Sequence, residues 1–224
     1  MNLAKSIPFF IKNPRKIVGA FFSRLPYFEF TRLVGYQCGA SFERWFEQKI
    51  LSSDASRKKA YFPIHPNSLV TNIENLYIGI DAYPVMHGCY IQAMGGIYIG
   101  DYTQIAPNVI IISANHELHD TRIHIKKRVI IGKYSWIGGN SSIMPGVELG
   151  DFTIVGAGSV VTKSFPEGHC VIGGNPAKII KYLDKEKCLP FKATVEYNGF
   201  IKSDKFIAYA QKNLKILDIF SDKF

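Results

Sequence analysis

Long apolar runs are missing from this 224-residue chain. A membrane-spanning helix needs about 20 consecutive apolar residues, and the longest runs near the N-terminus, Ile7–Ile11 and Ile17–Phe22, are far shorter. They are also too short for a secretory signal core, and no small-residue cleavage site follows them. The expectation is a soluble, cytoplasmic protein. Cysteine is scarce: Cys38, Cys89, Cys170 and Cys188 are widely spaced, with no Cys-x-x-Cys, a pattern of free thiols rather than a disulfide frame. Acidic residues are outnumbered 18 to 27 by basic ones, for a formal charge of +9. Eleven of the basic but only four of the acidic residues fall in residues 1–60, so the main body is nearly neutral. A nucleic-acid-binding module usually spreads its basic face over the folded unit, and no nucleic acid is expected as a partner. With 47% apolar and 20% charged residues, the composition excludes a mainly disordered or collagen-like chain.

Several catalytic signatures are absent too. There is no Gly-x-Ser-x-Gly and no phosphate-cradling Gly-x-x-x-x-Gly-Lys-Ser/Thr. His116-Glu117-Leu118-His119 is one residue short of the zinc-binding His-Glu-x-x-His, and His87 with Cys89 has no further ligand partners. No metal site is expected.

What the chain does contain is a period of six. Ile131, Ile137, Ile143, Leu149, Val155 and Val161 fall on one phase, which extends upstream through Ile125 and returns, displaced by two residues, at Ile99, Ile105 and Ile111. Six consecutive hits arise by chance roughly once in 4000 trials at this aliphatic content. Four residues after each aliphatic comes a small or β-branched residue: Thr103, Val109, Val129, Ser135, Ser141, Val147, Thr153 and Ser159. Neither the helical period of 3.6 nor the strand period of 2 gives six. A solenoid of short strands does, each hexad being one strand plus a corner that calls for Gly, Asn or Asp. Three hexads close a triangular coil, and coils stack in parallel about 4.8 Å apart.

The stretches Ile-Gly-Lys-Tyr-Ser-Trp-Ile-Gly-Gly-Asn (131–140), Ile-Met-Pro-Gly-Val (143–147), Val-Gly-Ala-Gly-Ser-Val-Val-Thr-Lys (155–163) and Gly-Gly-Asn-Pro-Ala-Lys (173–178) resemble the hexapeptide-repeat acyltransferase family, in its sugar and polysaccharide O-acetyltransferase branch. The resemblance covers about residues 70–183. It implies an all-β solenoid, specifically a left-handed parallel β-helix, a homotrimer, and acetyl-CoA as donor. The handedness comes from the resemblance alone. The expected organisation is a basic helical cap over 1–60, the β-helix over 61–176 with degraded coils at its start, and a helical C-terminal segment over 177–224, beginning with a helix at Ala177–Leu183.

The repeat breaks after Ile111. The small inward position is taken by Asn115, His116 follows, and Glu117–His124 is a stretch of eight residues where six are expected. That predicts a loop over 117–124 pushed out of a coil with a histidine at its root, and the family carries its catalytic histidine at the matching place. His116 is the expected general base, Asn115 its neighbour in the site, and the Gly139 N–H the expected oxyanion donor. Glu117, Asp101 and Asp120 are all candidates to orient the ring. By the same resemblance Trp136, Gly139, Ala157, Thr162 and Lys163 line the path of coenzyme A, with Lys178 and Lys181 near its phosphates. As a helix, the run after Pro176 would place those two lysines one turn apart on one face. The acceptor region, around Tyr83, Met86, His87, Tyr90, Gln92 and Met94, is aromatic and Met-rich, which suits a large or lipid-linked glycan better than a small sugar.

The expected activity is acetyl transfer to a sugar hydroxyl, of a surface polysaccharide or its precursor. The alternatives are N-acetylation of an amino sugar or antibiotic, and a trimeric scaffold without catalysis. The N-terminal segment alternates Lys5, Lys12, Arg15, Lys16, Arg24 and Arg32 with aromatic residues, so residues 1–35 are also read as a candidate contact with an anionic membrane surface.

Overall fold

The computed structural model describes residues 41–83 and 86–224, together with 19, 21, 22, 24, 25 and 28–30 of the N-terminal segment. Most of the candidate membrane segment lies outside the described residues. No helix among the described residues is long and apolar enough to cross a membrane.

Five coils of short parallel strands build a triangular prism. The first coil contributes β1 (Leu69–Thr71) and β2 (Leu76–Ile78). The second contributes β3 (Tyr90–Gln92), β4 (Ile97–Ile99) and β5 (Gln104–Ile105), and the third opens with β6 (Ile110–Ile112). There the chain leaves the prism as a hairpin, β7 (Ala114–His116) and β8 (His124–Lys126), before β9 (Val129–Ile131) and β10 (Trp136–Ile137) complete the coil. The fourth coil is β11 (Ser142–Ile143), β12 (Glu148–Leu149) and β13 (Thr153–Val155). The fifth holds β14 (Val160–Val161) and β15 (Cys170–Gly174), and β16 (Ala177–Tyr182) folds back on β15. The first face of the prism is β1-β3-β6-β11-β14, the second β2-β4-β9-β12, and the third β5-β10-β13-β15-β16. The fold is a left-handed parallel β-helix.

The period of six becomes three stacks of side chains inside the prism. Val70, Ile91, Ile111, Ile143 and Val161 are in register on the first face. Ile78, Ile99, Ile131 and Leu149 align on the second, and Ile105, Ile137, Val155 and Ile172 on the third. Each of the twelve from Ile91 onward and Ile78 is essentially sealed from solvent, and full burial of such a side chain contributes about 1.5–3 kcal/mol. The small residues of the repeat are equally buried, and their hydroxyls satisfy backbone groups at the corners. Thr103 Oγ1 donates to the Gly132 carbonyl (2.7 Å) and accepts from the Ser135 N–H (3.2 Å). Thr153 Oγ1 donates to the Gly150 carbonyl (2.7 Å), while its N–H donates to Ser135 Oγ (3.2 Å).

The corner between the second and third faces departs from the expected Gly, Asn or Asp. Tyr102, Tyr134, Phe152 and His169 occupy it in successive coils, all with φ between 46° and 59°. A left-handed residue with a side chain costs about 1–2 kcal/mol. The rings offset that by stacking: Tyr102 on Tyr134 at 5.3 Å, Tyr134 on Phe152 at 4.9 Å, Phe152 against His169 at 5.1 Å. Phe191 from the C-terminal segment lies over Tyr102 at 4.8 Å, and its carbonyl accepts from the Tyr134 hydroxyl (2.9 Å).

Described segments on both sides of the β-helix in sequence pack on the prism. On the N-terminal side are α1 (Phe42–Phe46) and α2 (Ala55–Lys59), joined through a π-helical turn at Glu47–Leu51. Buried Gln48 ties this cap to the first coil: its Nε2 donates to the carbonyls of Arg57 and Phe62, and its Oε1 accepts from the Ile64 N–H. On the C-terminal side a small hairpin, β17 (Tyr197–Asn198) and β18 (Ile201–Lys202), leads into α3 (Ser203–Asn213) and α4 (Ile216–Ile219). Phe206, Ala210, Ile216 and Phe220 join the same hydrophobic core. Phe206 meets Tyr77, and Phe220 meets Tyr98, on the outside of the second face.

Three expectations are corrected. The run Ala177–Leu183 is not a helix: β16 pairs antiparallel with β15. Without it β15 would be an open edge, and Ile179, Ile180 and Tyr182 are strand-forming residues. Apart from a 3-10 turn at Lys185–Lys187, the 177–224 segment is accordingly helical only from Ser203. Ile125 does not continue the aliphatic phase, since it sits on the hairpin and is 43% exposed. Asn115 does not point inward either: the chain leaves the coil at Ser113, which is fully buried in the small position, and Asn115 is exposed.

Candidate active site

The neck of the β7–β8 hairpin is held by Ser113. Its Oγ donates to the Gln92 carbonyl and accepts from the Gly95 N–H, both at 2.9 Å, and the Lys127 N–H donates to its carbonyl (2.9 Å). From that neck the register pairs Asn115 with Ile125 and His116 with His124. The rings of His116 and His124 are 4.4 Å apart. His116 Nδ1 is hydrogen-bonded to the Thr121 carbonyl. A carbonyl oxygen only accepts, so Nδ1 carries the hydrogen, and in the neutral ring that leaves the lone pair on Nε2. Nε2 has no partner among the described residues, and His116 is exposed.

None of the three acids considered for orienting the ring does so. Glu117 Oε2 accepts from the N–H groups of His119 and Asp120, which shapes the loop. Asp120 forms a two-point pair with Arg122 at 2.8 Å, and Asp101 pairs with Lys133 at 2.8 Å. The orienting group is a backbone carbonyl, which has no sequence signature. His124 was missed as well. Only the length of the loop, which sets the hairpin register, places it opposite His116.

The donor candidates collect on the third face and the corner that follows it. Gln104, Trp136, Ile154, Val171 and Lys181 lie side by side in register across five strands, and Trp136 is 53% exposed. Ile180 is an extra residue in the β15–β16 pairing, because Val171 faces Lys181 while Ile172 faces Ile179. Lys178 pairs with Gly173. Paired residues share a side of the sheet, so this bulge puts Lys178 and Lys181 on the same outer side, as a helix would have done. Gly139 stands at the corner between the third and first faces. Its carbonyl accepts from the Gly158 N–H (2.9 Å), and nothing among the described residues accepts from its own N–H. A Cβ at Gly139 would sit 3.2 Å from the Pro107 carbonyl. Ala157 is exposed one coil further on.

Thr162 and Lys163 belong elsewhere. They are exposed at the corner between the first and second faces, where the His116 hairpin also emerges two coils earlier. One chain thus divides the candidates in two. His116, Asn115, Thr162 and Lys163 are on one corner. Trp136, Gly139, Ala157, Lys178 and Lys181 are on the third face and the next corner, across the width of the first face. The residues offer a base, an unpaired N–H, an exposed indole and two lysines on one side, which fit a thioester carried on a phosphorylated nucleotide. Burial pushes the thiols of Cys89 and Cys170 up, so neither is a ready nucleophile. Among the described residues no group of His, Cys, Asp and Glu is arranged to hold a metal.

Residues 128–163 match the family model described as bacterial transferase hexapeptide (six repeats). Galactoside O-acetyltransferase of Escherichia coli is 36% identical over 126 residues, covering 53% of this chain and 60% of the relative. The chain spans less than two thirds of the length of such curated relatives. Among solved structures, a maltose O-acetyltransferase from Clostridium difficile aligns with a TM-score of 0.53 and 29% identity, over 62% of this chain and 81% of that one. A galactoside acetyltransferase in complex with coenzyme A aligns with a TM-score of 0.54 and 26% identity, over 75% and 97%. The repeat in the sequence, the three-faced prism it builds and these matches agree: residues 128–163 carry the bacterial transferase hexapeptide repeat, and the chain is similar in sequence and fold to hexapeptide-repeat acetyltransferases.

Proposed function

We propose that the chain is an acetyl-CoA-dependent O-acetyltransferase acting on a sugar hydroxyl of a surface polysaccharide or its precursor. The observation that carries this reading is His116, with Nδ1 held by the Thr121 carbonyl and Nε2 unoccupied at the root of a pinned hairpin. An alcohol is a poor nucleophile near neutral pH. Nε2 takes the hydroxyl proton as the oxygen forms its bond to the acetyl carbon. The carbon–sulfur bond then breaks, and the proton on Nε2 passes to the departing sulfur. The Gly139 N–H faces the carbonyl oxygen while it carries negative charge. Coenzyme A supplies the activated acetyl group. Lys178 and Lys181 hold its phosphates and Trp136 packs along its arm.

The reading includes a homotrimer. His116 and Gly139 stand on different corners of one prism, so a second copy has to bring its hairpin to the donor corner of the first. Three cavities among the described residues, such as that over Lys133, Asp151 and His169 on the second face, take in neither group.

The test is thiol release from acetyl-CoA with a panel of neutral, acidic and amino sugars. Release with hydroxyl acceptors that is lost in His116→Ala supports the reading. Release only with amino sugars moves it to N-acetylation. No release with any of them, together with no binding of coenzyme A, leaves a scaffold.

A further inference from the structure

The corner that carries Gly139 continues toward the N-terminal cap. The Asn140 N–H donates to the Pro107 carbonyl (3.2 Å), and the Asn108 N–H donates to the His87 carbonyl (2.9 Å). His87 therefore lies on the same edge two coils before Gly139, about 10 Å away at the usual spacing of stacked strands.

Two histidine rings come together at this edge, and two arginines from the cap helices act on them. Arg44 of α1 donates through Nη1 to the Tyr83 hydroxyl, and Tyr83 bridges to Gln104 in the row that holds Trp136. His87 Nε2 is 3.3 Å from Asn67 Nδ2, and its ring is 5.0 Å from that of His65. His65 Nδ1 accepts from the Asn67 N–H (3.2 Å). Arg57 of α2 reaches the Ile64 carbonyl with Nη2 (3.2 Å). Neither arginine forms an ion pair among the described residues. Burial, and after it the positive charges of His87, Arg44 and Arg57, hold the His65 ring below its ordinary value, with Glu47 alone acting against them. A bound anion supplies the counter-charge that the two arginines lack and offsets the cost of charging a ring beside them.

We propose that Arg44, His65 and His87, backed by Arg57, bind an anionic group on the acceptor, so that the sugar this enzyme modifies is acidic or phosphorylated. The inference rests on the transferase reading for the identity of the ligand as acceptor. It adds a charged group to the large or lipid-linked glycan expected from the sequence. The cap helices become part of the binding site as well as a cover for the first coil.

The imidazole resonances of His65 and His87 in the full-length protein report on this directly, without acetyl-CoA. Titration with glucuronate, glucose 1-phosphate and neutral glucose is expected to give saturable shifts of both rings with an anionic probe and none with glucose. The probe that saturates first distinguishes carboxylate from phosphate. Arg44→Gln is expected to weaken that probe about tenfold, the worth of one charge-assisted hydrogen bond, with the rest of the spectrum showing an intact fold. Rings that no anion shifts at tens of millimolar, or that shift equally in Arg44→Gln and in the unaltered protein, overturn the proposal. Calorimetry with coenzyme A separates the two readings. Coenzyme A binding with silent rings removes only the anion site, and shifting rings without coenzyme A binding removes only the transferase.

Discussion

Replacing His116 with Ala removes the imidazole whose Nδ1 is held by the Thr121 carbonyl. Loss of a general base lowers kcat by about 10²–10⁴-fold. The lysines and Trp136 are on the third face, away from the hairpin corner, so coenzyme A affinity, read by calorimetry, is expected to stay unchanged. His124 is the finer test. Its ring packs 4.4 Å from His116, so His124→Phe is expected to keep most of kcat while His124→Ala lowers it, with KM for acetyl-CoA the same in both. Equal rates in the two variants would mean that the neighbouring ring does not position the base. The protruding hairpin at His116 was legible because three departures from the repeat coincide there. Asn115 was misplaced because a six-residue pattern does not say where the chain leaves its coil, and in the structure it leaves at Ser113. The Thr121 carbonyl was not legible at all, since any residue at that position offers the same group.

Single coils were the most legible elements. Each interior position repeats one packing problem, and β-branched aliphatics at every sixth residue are its direct record. Ile137 is sealed between Ile105 and Val155. Ile137→Ala is expected to cost about 2–5 kcal/mol in denaturant unfolding. The strand β16 was misread because Ala177–Leu183 carries no interior stack, and its state is set by the open edge of β15. Only the bulge at Ile180 restored the shared face of Lys178 and Lys181. The cap adds an electrostatic effect of its own. Lys49 Nζ donates to the carbonyls of Lys58 and Ala60, and burial lowers its pKa to about 8. The unfolded value is about 10.4. Between the two the unfolded chain binds more protons, so stability contributed through this group rises with pH across that window. The urea midpoint of the unaltered protein is therefore expected to gain on that of Lys49→Met from about pH 7.5 to about pH 9.5. A constant difference would show that Lys49 titrates normally.

The whole molecule is where the division of the site matters. If each active site takes its hairpin from one copy and its donor face from another, two inactive variants complement each other. His116→Ala mixed with a Lys178→Glu, Lys181→Glu double variant, unfolded and refolded together, is expected to regain activity at about a quarter of the sites of a randomly assembled symmetric trimer. No recovery, or a sedimentation coefficient of a monomer that still transfers acetyl groups, would contradict the shared site. The C-terminal segment bears on the molecule in another way. Stacked coils touch only their neighbours and can form one after another, yet this stack is closed by groups that come much later in the chain. Asn198 Nδ2 donates to the Ile78 carbonyl across 120 residues of sequence. The Lys215 N–H donates to the Glu74 carbonyl, and Phe206 and Phe220 cover Tyr77 and Tyr98. During synthesis the first two coils leave the ribosome early and wait, with two tyrosines of their second face uncovered, until α3 and α4 emerge. For that interval the nascent chain carries a sticky flank that the finished protein never shows.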